Sequence, residues 1–431
     1  MSGFSLVLSD EQQALFDTIE TTREHLFVTG RAGTGKSTLL NYLAWNTSKQ
    51  LVICAPTGVA ALNVGGQTIH SLFRLPIGVI ADRDIEQNAD TRKLLNTIET
   101  LVIDEVSMVN ADLLDAIDRS LRKARQRPLE AFGGVQVVLF GDPYQLAPVP
   151  GDVDERAYFH DQYDSMWFFD AKVWQEADLR IYELTTIHRQ HEEEFKLMLN
   201  AVRHGGVTAE IAHRLNETGA RTPPTEGAIT LATRNDAVNA INAKALARLP
   251  APIKTAKAEI SGEFGGRAFP AEEQLQLKVG AQVMFLRNDF EQRWVNGSIG
   301  TVTKIAATVF VEVDGEEHEV RPAIWEKFKY AYSATTKELK RDIVAEFQQF
   351  PLRLAWAVTI HKSQGKTYDR AIVDLGQRSF APGQTYVALS RITALEGLFL
   401  TRPLRPSDII VDPDVRRFME KAQAIPAIRA R

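Results

Sequence analysis

The chain is poor in the features that mark several classes of protein. Its 431 residues include one cysteine, Cys54, so no internal disulfide can form, and this usage fits a reducing compartment. No apolar run reaches the length of a membrane span, and the first residues lack the basic start and apolar core of a signal peptide. The net charge of −5 gives no overall excess of basic groups, so any polyanion must be bound in a local groove. We therefore expect a cytoplasmic protein with no membrane partner.

The pattern of apolar runs predicts an α/β protein with more than one domain. A chain of this length exceeds one ordinary hydrophobic core. In the first third, apolar strand candidates at 26–29, 51–55, 100–103 and 135–140 alternate with helix-like stretches such as 113–123. This alternation predicts a parallel sheet covered by helices, with binding residues at the carboxyl ends of its strands.

A second α/β unit is predicted from the apolar runs IYELT, AITLATRN, LRLAWAVTIHKSQG, RAIVDLG and LEGLFLTRP. Between about residues 270 and 350 it is interrupted by short β runs joined by Asn-Gly and Asp-Gly turns, which predict a small inserted antiparallel β-barrel. Residues 324–349 are rich in aromatic and charged side chains. We expect a helical strap packed on the barrel there, and a nucleic-acid surface is the alternative. The residues behind that alternative are Trp325, Phe328, Tyr330, Tyr332, Lys337, Lys340 and Arg341.

The segment GRAGTGKS at residues 30–37 fits the phosphate-loop pattern G-x-x-x-x-G-K-[ST]. An apolar strand precedes it and a helix-like run follows it, as such a loop requires. Its glycines let backbone N–H groups point at phosphates. Lys36 can reach the β- and γ-phosphates, and Ser37 can hold Mg²⁺ through its hydroxyl. The sequence therefore predicts a nucleotide site that includes Gly33, Thr34, Gly35, Lys36, Ser37 and Thr38.

Two acids and a glutamine follow later strands of the same predicted sheet. Asp104 and Glu105 end the apolar run in LVIDEVSM, and Gln145 follows a strand in VVLFGDPYQLAPV. Downstream of a phosphate loop, the first acid is expected to hold Mg²⁺ through water, and the second to orient and deprotonate the attacking water. A glutamine amide donates and accepts hydrogen bonds at once, so Gln145 can sense a γ-phosphate. Solvated polar positions are the alternative.

Two arginines of the second unit are candidates for the opposite side of the site. Arg189 lies in LTTIHRQ and Arg391 in YVALSRIT. A guanidinium presents a planar fork to phosphate oxygens and stays charged. Supplied across a cleft, it neutralises charge in the transition state, an effect of order 10³–10⁵ in rate. Surface ion pairs are the alternative for both.

A glutamine near the N-terminus is a candidate for contact with the base. Gln12, in LSDEQQ, can form two hydrogen bonds with an adenine edge. Gln13 is the second candidate, and an exposed helix position is the alternative for either residue.

Together these strings resemble those of superfamily-one DNA helicases, and in particular the Pif (petite integration frequency) family. Two are specific to that group: APTGVAALNVGGQTIHSLF, and the acid-motif span LLDAIDRSLRKARQRPLEAFGGVQVVLFGDPYQLAPV. The others are LSDEQ, GRAGTGKST, VIDEVSM, LTTIHRQ, VTIHKSQGKTYD and YVALSR, and the resemblance extends from about residue 8 to 403. Pro143 and Ala147 depart from the usual Phe and Pro of the family. GDPYQL is the form of the RecD and Dda relatives.

The resemblance implies two RecA-like lobes and an inserted barrel of the Src-homology-three type. The first lobe would be 1–175, with a small wedge element at about 74–95. The second would be 176–269 with 350–431, and the barrel 270–349. The implied activity is ATP- and Mg²⁺-dependent travel in the 5′→3′ direction on single-stranded DNA, with unwinding of duplex, forked or structured DNA. The resemblance also implies a bacterial or phage-like, nucleoid-associated protein that acts as a monomer.

A DNA track that crosses both lobes opposite the nucleotide is expected to use short polar groups and backbone N–H groups, with an aromatic ring for a base. Phe73 could be that ring or a core residue. His361 has no carboxylate or cysteine at ligand spacing, so we expect no metal there. Gly365, from the same string, is placed with the nucleotide residues. The DNA candidates are Pro56, Thr57, Gly58, Thr68, His70, Phe73, Arg234, Asn235, Thr359, His361 and Lys362.

Two other functions compete with a helicase. The first is a single-stranded DNA clamp in which ATP only switches affinity, without processive unwinding; it would not need Glu105, Gln145 and both arginines for fast turnover. The second is a phosphate-loop kinase or GTPase. The chain lacks a guanine-reading N-K-x-D string, and this function leaves the motifs of the second unit unexplained.

Overall fold

The first half of the chain forms a six-stranded parallel sheet in the computed structural model, which describes residues 8–149, 151–187, 189–190, 192–224, 227–262, 269–291, 293–333 and 338–423. The sheet and its helices are α1 (Asp10–Thr21), β1 (Leu26–Gly30), α2 (Lys36–Asn46), β2 (Leu51–Ala55), α3 (Gly58–Asn63), β3 (Gln67–Thr68), α4 (Ile69–Phe73), α5 (Ala89–Thr97), β4 (Thr100–Ile103), α6 (Ala111–Arg125), β5 (Gln136–Phe140), α7 (Val153–Gln162), α8 (Lys172–Glu176) and β6 (Arg180–Leu184). The strand order is β3-β2-β4-β5-β1-β6.

The central strands are apolar because helices cover both faces of the sheet. Every residue of β1, β4 and β5 is buried. The helices begin at polar caps, for example at Ser9, whose hydroxyl accepts from the backbone of Gln12, and at Asn110, which caps α6. The strands predicted at 26–29, 51–55, 100–103 and 135–140 are confirmed to within one residue.

One strand that the sequence assigned to the second unit belongs to the first sheet. β6 pairs in parallel with β1, from Leu26 opposite Arg180 to Gly30 opposite Leu184. An apolar run indicates a strand but not the sheet that it joins, so the placement of IYELT in the second unit was wrong. The first sheet therefore extends past the boundary expected at residue 175.

The second half contains a four-stranded parallel sheet in the order β18-β7-β19-β20. Its elements in chain order are α9 (Glu193–His204), α10 (Ala209–Gly219), β7 (Ile229–Ala232), α11 (Asn235–Arg248), β8 (Lys254–Lys257), β9 (Glu259–Gly262), β10 (Gln274–Leu277), β11 (Gln282–Phe285), β12 (Ile299–Ile305), β13 (Val309–Val313), β14 (Glu316–Val320), β15 (Ala323–Ser333), β16 (Glu338–Gln349), β17 (Leu352–Leu354), β18 (Ala357–Thr359), β19 (Ala371–Asp374), α12 (Gln384–Leu389), β20 (Leu398–Leu400) and α13 (Pro413–Gln423). Two parallel sheets with flanking helices confirm the α/β class.

An antiparallel unit interrupts the second half, as the turn signals predict. Its five strands are ordered β14-β13-β12-β11-β17 and enclose a separate core that includes Val283, Phe285, Val311 and Leu352. The strands β8 and β10 form a further antiparallel pair. LRLAWAVT therefore contributes to two sheets, since β17 belongs to this unit and β18 to the second parallel sheet.

The aromatic and charged segment 324–349 is a β-hairpin, so the expected helical strap is wrong. β15 and β16 pair from Ala323 opposite Gln349 to Ser333 opposite Glu338. Burial alternates with period two in β16, where Ala345, Phe347 and Gln349 are buried and the residues between them are less so. β15 packs against α3, β3 and α5 of the first half. Lys337 lies outside the described residues.

The last described helix returns to the first sheet and ties the two halves together. On α13, the Phe418 ring stacks on Phe169 at a centroid distance of 4.2 Å and meets Trp174 edge-on at 5.5 Å. The indole N–H of Trp167 donates to Asp412 at 3.1 Å.

Among the helices that the structure describes, none combines the length and the apolar character that a bilayer crossing requires.

Candidate functional site: a nucleotide cleft between two sheets

All the residues that the sequence assigned to a nucleotide line one cleft of about 530 Å³. The carboxyl ends of β1, β4 and β5 supply one wall, and segments before α9, before β19 and after α12 supply the other. The predicted residues in this lining are Gln12, Gly33, Thr34, Gly35, Lys36, Ser37, Thr38, Asp104, Glu105, Gln145, Arg189, Gly365 and Arg391. The structure thus brings together residues separated by up to 379 positions in the chain (391 − 12).

The phosphate loop has the backbone that its glycines permit. Gly33 and Gly35 have φ angles of 86° and 79°, in the left-handed region that side chains disfavour. A Cβ on Gly33 would lie 2.6 Å from the Cβ of Arg189, so glycine also allows the opposite wall to approach. α2 begins at Lys36, and its N-terminal N–H groups therefore face the cleft as an anion site.

The Lys36 amine is buried among groups of both charges. Nζ donates to the carbonyl oxygens of Gly30 at 2.6 Å and Arg31 at 3.1 Å. Burial lowers the pKa of Lys36 to about 8, although the nearby carboxylates of Asp142 and Glu105 favour the charged form. A cation so placed would gain free energy from contact with phosphate oxygens.

Asp104 and Glu105 lie side by side after β4. Burial and the neighbouring Glu105 raise the pKa of Asp104 to about 7, and burial raises the pKa of Glu105 against the effect of Lys36. Glu105 adopts a left-handed conformation with φ 50° and ψ 44°. A non-glycine residue held in this region stores backbone strain, as is common at active sites. The strain aims the Glu105 carboxylate into the cleft that it lines.

The residues present fit an octahedral Mg²⁺ that is completed by water and phosphate. Among the described residues, no three His, Cys, Asp or Glu side chains cluster as metal ligands. Mg²⁺ is commonly bound by one or two protein oxygens plus substrate phosphates, and it keeps several waters. Ser37 and Asp104, which both line the cleft, supply that small donor set.

The two predicted arginines are neighbours on the far wall. The carbonyl of Ser390 accepts hydrogen bonds from Arg189 Nη1 and Gln190 Nε2, both at 3.2 Å. Arg391 is 2% exposed, and it donates to the Val387 carbonyl at 3.0 Å and the Ser390 hydroxyl at 2.9 Å. Neither guanidinium forms an ion pair with a carboxylate in the described part of the chain.

The charge of these arginines is poorly compensated. Burial, and then the charge of Arg391, lower the pKa of Arg189 to about 9. Burial also lowers the pKa of Arg391. The carboxylates of Glu105 and Asp142 favour the charged form of Arg391 but do not offset its burial. Two adjacent cations whose hydrogen-bond partners are neutral form a site that an anion would stabilise.

Gln145 and Gln12 already make protein hydrogen bonds in this structure. Gln145 Nε2 donates to Asp142 Oδ2 at 3.4 Å. Gln12 Oε1 accepts from the Ser9 backbone at 3.0 Å, and its Nε2 donates to the Gly35 carbonyl at 3.2 Å. The Gln12 side chain therefore ties the start of α1 to the phosphate loop. Gln13, the second candidate, is exposed and bonds to Asp17 at 2.8 Å.

A tyrosine that sequence reasoning missed connects the two walls. The hydroxyl of Tyr386, on α12, accepts a hydrogen bond from the Ala32 backbone N–H of the phosphate loop at 3.0 Å. The signal was present, because Tyr386 opens the YVALSR string that also contains Arg391.

The predicted DNA residues of the first sheet lie at the starts of two short helices. Thr57 caps α3 and Thr68 caps α4, each through its hydroxyl. Pro56 and Gly58 flank the first cap. Half-buried His70 has an Nδ1 atom with no partner among the described residues.

Phe73 is a core residue, not a base-stacking one. It is 1% exposed and packs in the first core with Ile69 and Leu72. The alternative that the sequence left open is therefore the correct one, because α4 turns its apolar face inward.

The predicted DNA residues of the second sheet also follow strand ends. Arg234 and Asn235 begin α11 after β7; Arg234 is exposed and paired with Asp236 at 3.1 Å. Thr359 ends β18, and its hydroxyl accepts from the Lys362 backbone at 3.3 Å. Half-buried His361 has a pKa lowered by burial.

Sequence reasoning missed a basic group beside Lys362. Arg353 lies opposite Met284 in the β11–β17 pairing, and the Lys366 amine is 3.8 Å from the Met284 sulfur. Burial, and then the charges of Arg353 and Lys362, lower the pKa of Lys366 to about 7. Lys366 lies in VTIHKSQGKTYD and Arg353 in LRLAWAVTIHKSQG, but the sequence did not predict that they lie close together, because β17 with Arg353 belongs to the antiparallel unit and Lys366 follows a strand of the second sheet.

The fold and the cleft define a phosphate-loop protein of two parallel α/β lobes, in which the second lobe supplies arginines to the nucleotide site of the first. The chain belongs to the PIF1-like helicase family. The family model with that description matches residues 7–213, and a model for the DNA helicase Pif1 2B domain matches residues 267–305, a range that includes β11 and β12 of the antiparallel unit.

Relatives of known name cover the whole chain. The ATP-dependent DNA helicase Pif1 of Bdellovibrio bacteriovorus is 35% identical, over 99% of this chain and 94% of the relative. The human ATP-dependent DNA helicase PIF1 is 34% identical over 95% of this chain, but the chain spans only 63% of the human protein.

Two solved structures of a Bacteroides Pif1 match this chain with different TM-scores. Its complex with ADP-AlF4 is 37% identical, with a TM-score of 0.90 and coverage of 97% of both chains. Bacteroides Pif1 bound to single-stranded DNA is 38% identical over the same share, with a TM-score of 0.70. Identity and coverage are nearly the same, so the lower score means that the backbone of the DNA complex differs more from that of this chain.

Proposed function

We propose that this chain is an ATP-dependent DNA helicase that moves in the 5′→3′ direction on single-stranded DNA and unwinds duplex or structured DNA. The cleft carries this proposal: a phosphate loop on one lobe faces two arginines on the other, which have no hydrogen-bonded carboxylate among the described residues. The relatives' names support the activity, and the direction follows the family resemblance.

In the proposed hydrolysis each wall has a distinct role. Lys36 and the loop N–H groups bind the β- and γ-phosphates, and Ser37 and Asp104 hold Mg²⁺. When bound, this ion neutralises charge on the phosphate oxygens. Glu105 orients the attacking water and takes its proton, while Gln145 contacts the γ-phosphate. Gln12 contacts the adenine.

The second wall would act in the transition state. Arg189 and Arg391 neutralise the charge that develops on the transferred phosphoryl group. The γ-phosphate therefore supports lobe closure, and its loss removes that support. If the grips of the two lobes on DNA differ between open and closed states, each ATP advances the chain along the strand.

Single-stranded DNA and forks are the proposed partners. Solved relatives include Pif1 bound to single-stranded DNA and two coordinating Pif1 helicases at forked DNA. We propose that this chain can act as a monomer, because both walls of its cleft come from one chain. β15 packs on α3 and β3, beside Thr57 and Thr68, so DNA entry there requires the hairpin to shift.

The deciding experiment is unwinding of partial duplexes that carry either a 5′ or a 3′ single-stranded tail, with ATP. We expect unwinding of the 5′-tailed duplex alone. Unwinding from the 3′ tail would reverse the proposed direction. An ATP-switched clamp would unwind neither and would show little stimulation of hydrolysis by DNA.

A further inference from the structure

A buried ion pair connects the two lobes next to the nucleotide cleft. Asp142 follows β5 in the first lobe, and Arg203 lies in the last turn of α9, which packs against α12 of the second lobe. Asp142 Oδ1 and Arg203 Nη2 are 3.0 Å apart, and their side chains are 0% and 1% exposed. Neither Asp142 nor Arg203 was predicted as a site residue from the sequence, and neither takes part in the proposed hydrolysis.

The pair borders the nucleotide cleft, because Asp142 lines the cleft together with Gln145. Asp142 accepts from Gln145 Nε2 with one oxygen and from Arg203 with the other. Arg203 also lies over the Tyr144 ring, 4.4 Å from its centroid. Burial opposes the charge of Asp142, but Arg203 and Lys36 outweigh it and lower the pKa of Asp142. The Asp142 carboxylate thus contacts Gln145, the proposed phosphate sensor, and Arg203 of the second lobe, and it lies near the charge of Lys36.

The same region leads directly to Arg391. α12 begins after Gly383, where a Cβ would lie 2.2 Å from the Gln145 carbonyl oxygen, and it ends two residues before Arg391. A shift of Gln145 would therefore displace the start of α12 directly. A shift of Asp142 would displace α12 through Arg203 and α9. Close-packed contacts of this kind shift between discrete arrangements and do not deform freely.

Burial of two charges is weak evidence for a role in stability alone. Desolvation costs free energy that the attraction between the ions only offsets when their geometry is good, and apolar replacements are often as stable. A buried pair that spans two moving bodies has another use, because it fixes how they sit relative to each other.

We propose that Asp142 and Arg203 are positioning residues that couple the γ-phosphate contact of Gln145 to the placement of the second lobe, so that the nucleotide state sets the affinity for DNA. This inference rests on the proposed function. By linkage, the same coupling free energy must appear in two measurements: the change in nucleotide affinity on binding DNA, and the change in DNA affinity on binding nucleotide.

The test is the ratio of single-stranded DNA Kd values without and with a non-hydrolysable ATP analogue. In the Arg203→Met variant we expect this ratio to collapse toward one from the roughly 5–150-fold range typical of coupled sites. The Kd for DNA without nucleotide should stay within about threefold of wild type. A ratio equal to that of the unaltered chain would overturn the inference.

Two further variants separate coupling from general damage. Arg402→Met removes the partner of Asp408, a buried carboxylate 2.7 Å away within the second lobe, and should keep the wild-type ratio. An equal loss of coupling there would overturn the inference. The double variant Asp142→Asn with Arg203→Met removes both buried charges, and the remaining partner of Arg203, Glu183, is 27% exposed and can be solvated. This variant should still lack coupling, whereas restored coupling would show that the single variant failed only through a stranded charge.

The outcomes also distinguish this inference from the proposed function. If the wild-type chain hydrolyses ATP without stimulation by DNA, the proposed function and the inference fall together. If the wild type is stimulated and Arg203→Met keeps the wild-type ratio of DNA Kd values, the inference alone fails.

Discussion

The two walls of the nucleotide cleft differ in how their charges are balanced. On the first lobe, the Lys36 amine lies near Asp142 and Glu105 and donates to two loop carbonyls. On the second, Arg189 and Arg391 have carbonyl and hydroxyl partners only, among the described residues. The first wall places one cation, Lys36, among the acids Asp104, Glu105 and Asp142, whereas the second concentrates positive charge. The difference indicates that the first wall binds the nucleotide and that the second responds to its charge.

The largest expected effect is on the first wall. Lys36→Ala should abolish ATP hydrolysis and unwinding, because Lys36 is the cation of the first lobe among the described residues that line the cleft. Binding of single-stranded DNA in the absence of nucleotide should persist, since Lys36 lies in the nucleotide cleft. Steady-state ATPase and tailed-duplex assays measure the loss. Unwinding by this variant would refute the role of the phosphate loop.

The second wall should separate binding from turnover. Arg391→Ala should lower kcat for ATP hydrolysis by two or more decades, in the range of arginines that act on transferred phosphoryl groups. The Kd for ATP should change little, because the first wall is intact. Thermal unfolding controls for loss of a buried side chain. If turnover matched that of wild type, the contrast between the walls would be wrong.

Most of this contrast can be predicted from the sequence, because the residues of the first wall lie in short strings at strand ends. The glycines of GRAGTGKS determine the conformation of that loop. Asp104 and Glu105 follow an apolar strand, and a parallel sheet places the end of that strand beside the loop. Arg189 and Arg391 were found the same way, although their approach to each other depends on Ser390, whose carbonyl and hydroxyl hold them.

The errors fall where local pattern does not determine the partner. The apolar run of β6 fits either sheet, and only its pairing with β1 decides. In 324–349 the aromatic and charged residues suggested a helix, but Trp325 and Phe347 pack together on one face of a hairpin. Arg203 stands in LNAVRHGG with no motif around it, so its pairing with Asp142, 61 positions away, required the fold.

A smaller effect on the first wall concerns the base. Gln12→Ala should raise KM for ATP by about tenfold and weaken discrimination against GTP, with kcat nearly unchanged, because one or two hydrogen bonds are lost. Gln13→Ala is the matched control, since Gln13 is exposed and bonds only within α1. Equal KM values for the two variants would remove Gln12 from the site.

The basic group around Lys366 extends the charge of the second lobe beyond the nucleotide. Arg353 and Lys362 are its charged neighbours there, and Glu272 is the acid that most favours their charged forms. Like the two arginines, this group would be stabilised by an anion, and DNA phosphate is the anion that the proposed function supplies.

The smallest expected effect is therefore on DNA binding. Lys366→Met should weaken single-stranded DNA binding several-fold and reduce the slope of log K against log salt by about 0.7, the loss of one phosphate contact. The pKa of Lys366 is lowered to about 7, so the amine is mostly charged below that pH and mostly neutral above it. Above pH 7, a contact with DNA phosphate therefore requires the amine to take up a proton. Wild-type affinity should fall as the pH rises through about 7, and more steeply than that of the variant. Lys304→Met, at an exposed position of the antiparallel unit, is the control and should keep the wild-type slope. An unchanged slope for Lys366→Met would show that Lys366 makes no contact with DNA phosphate. The contrast between the two walls would then apply only to the nucleotide.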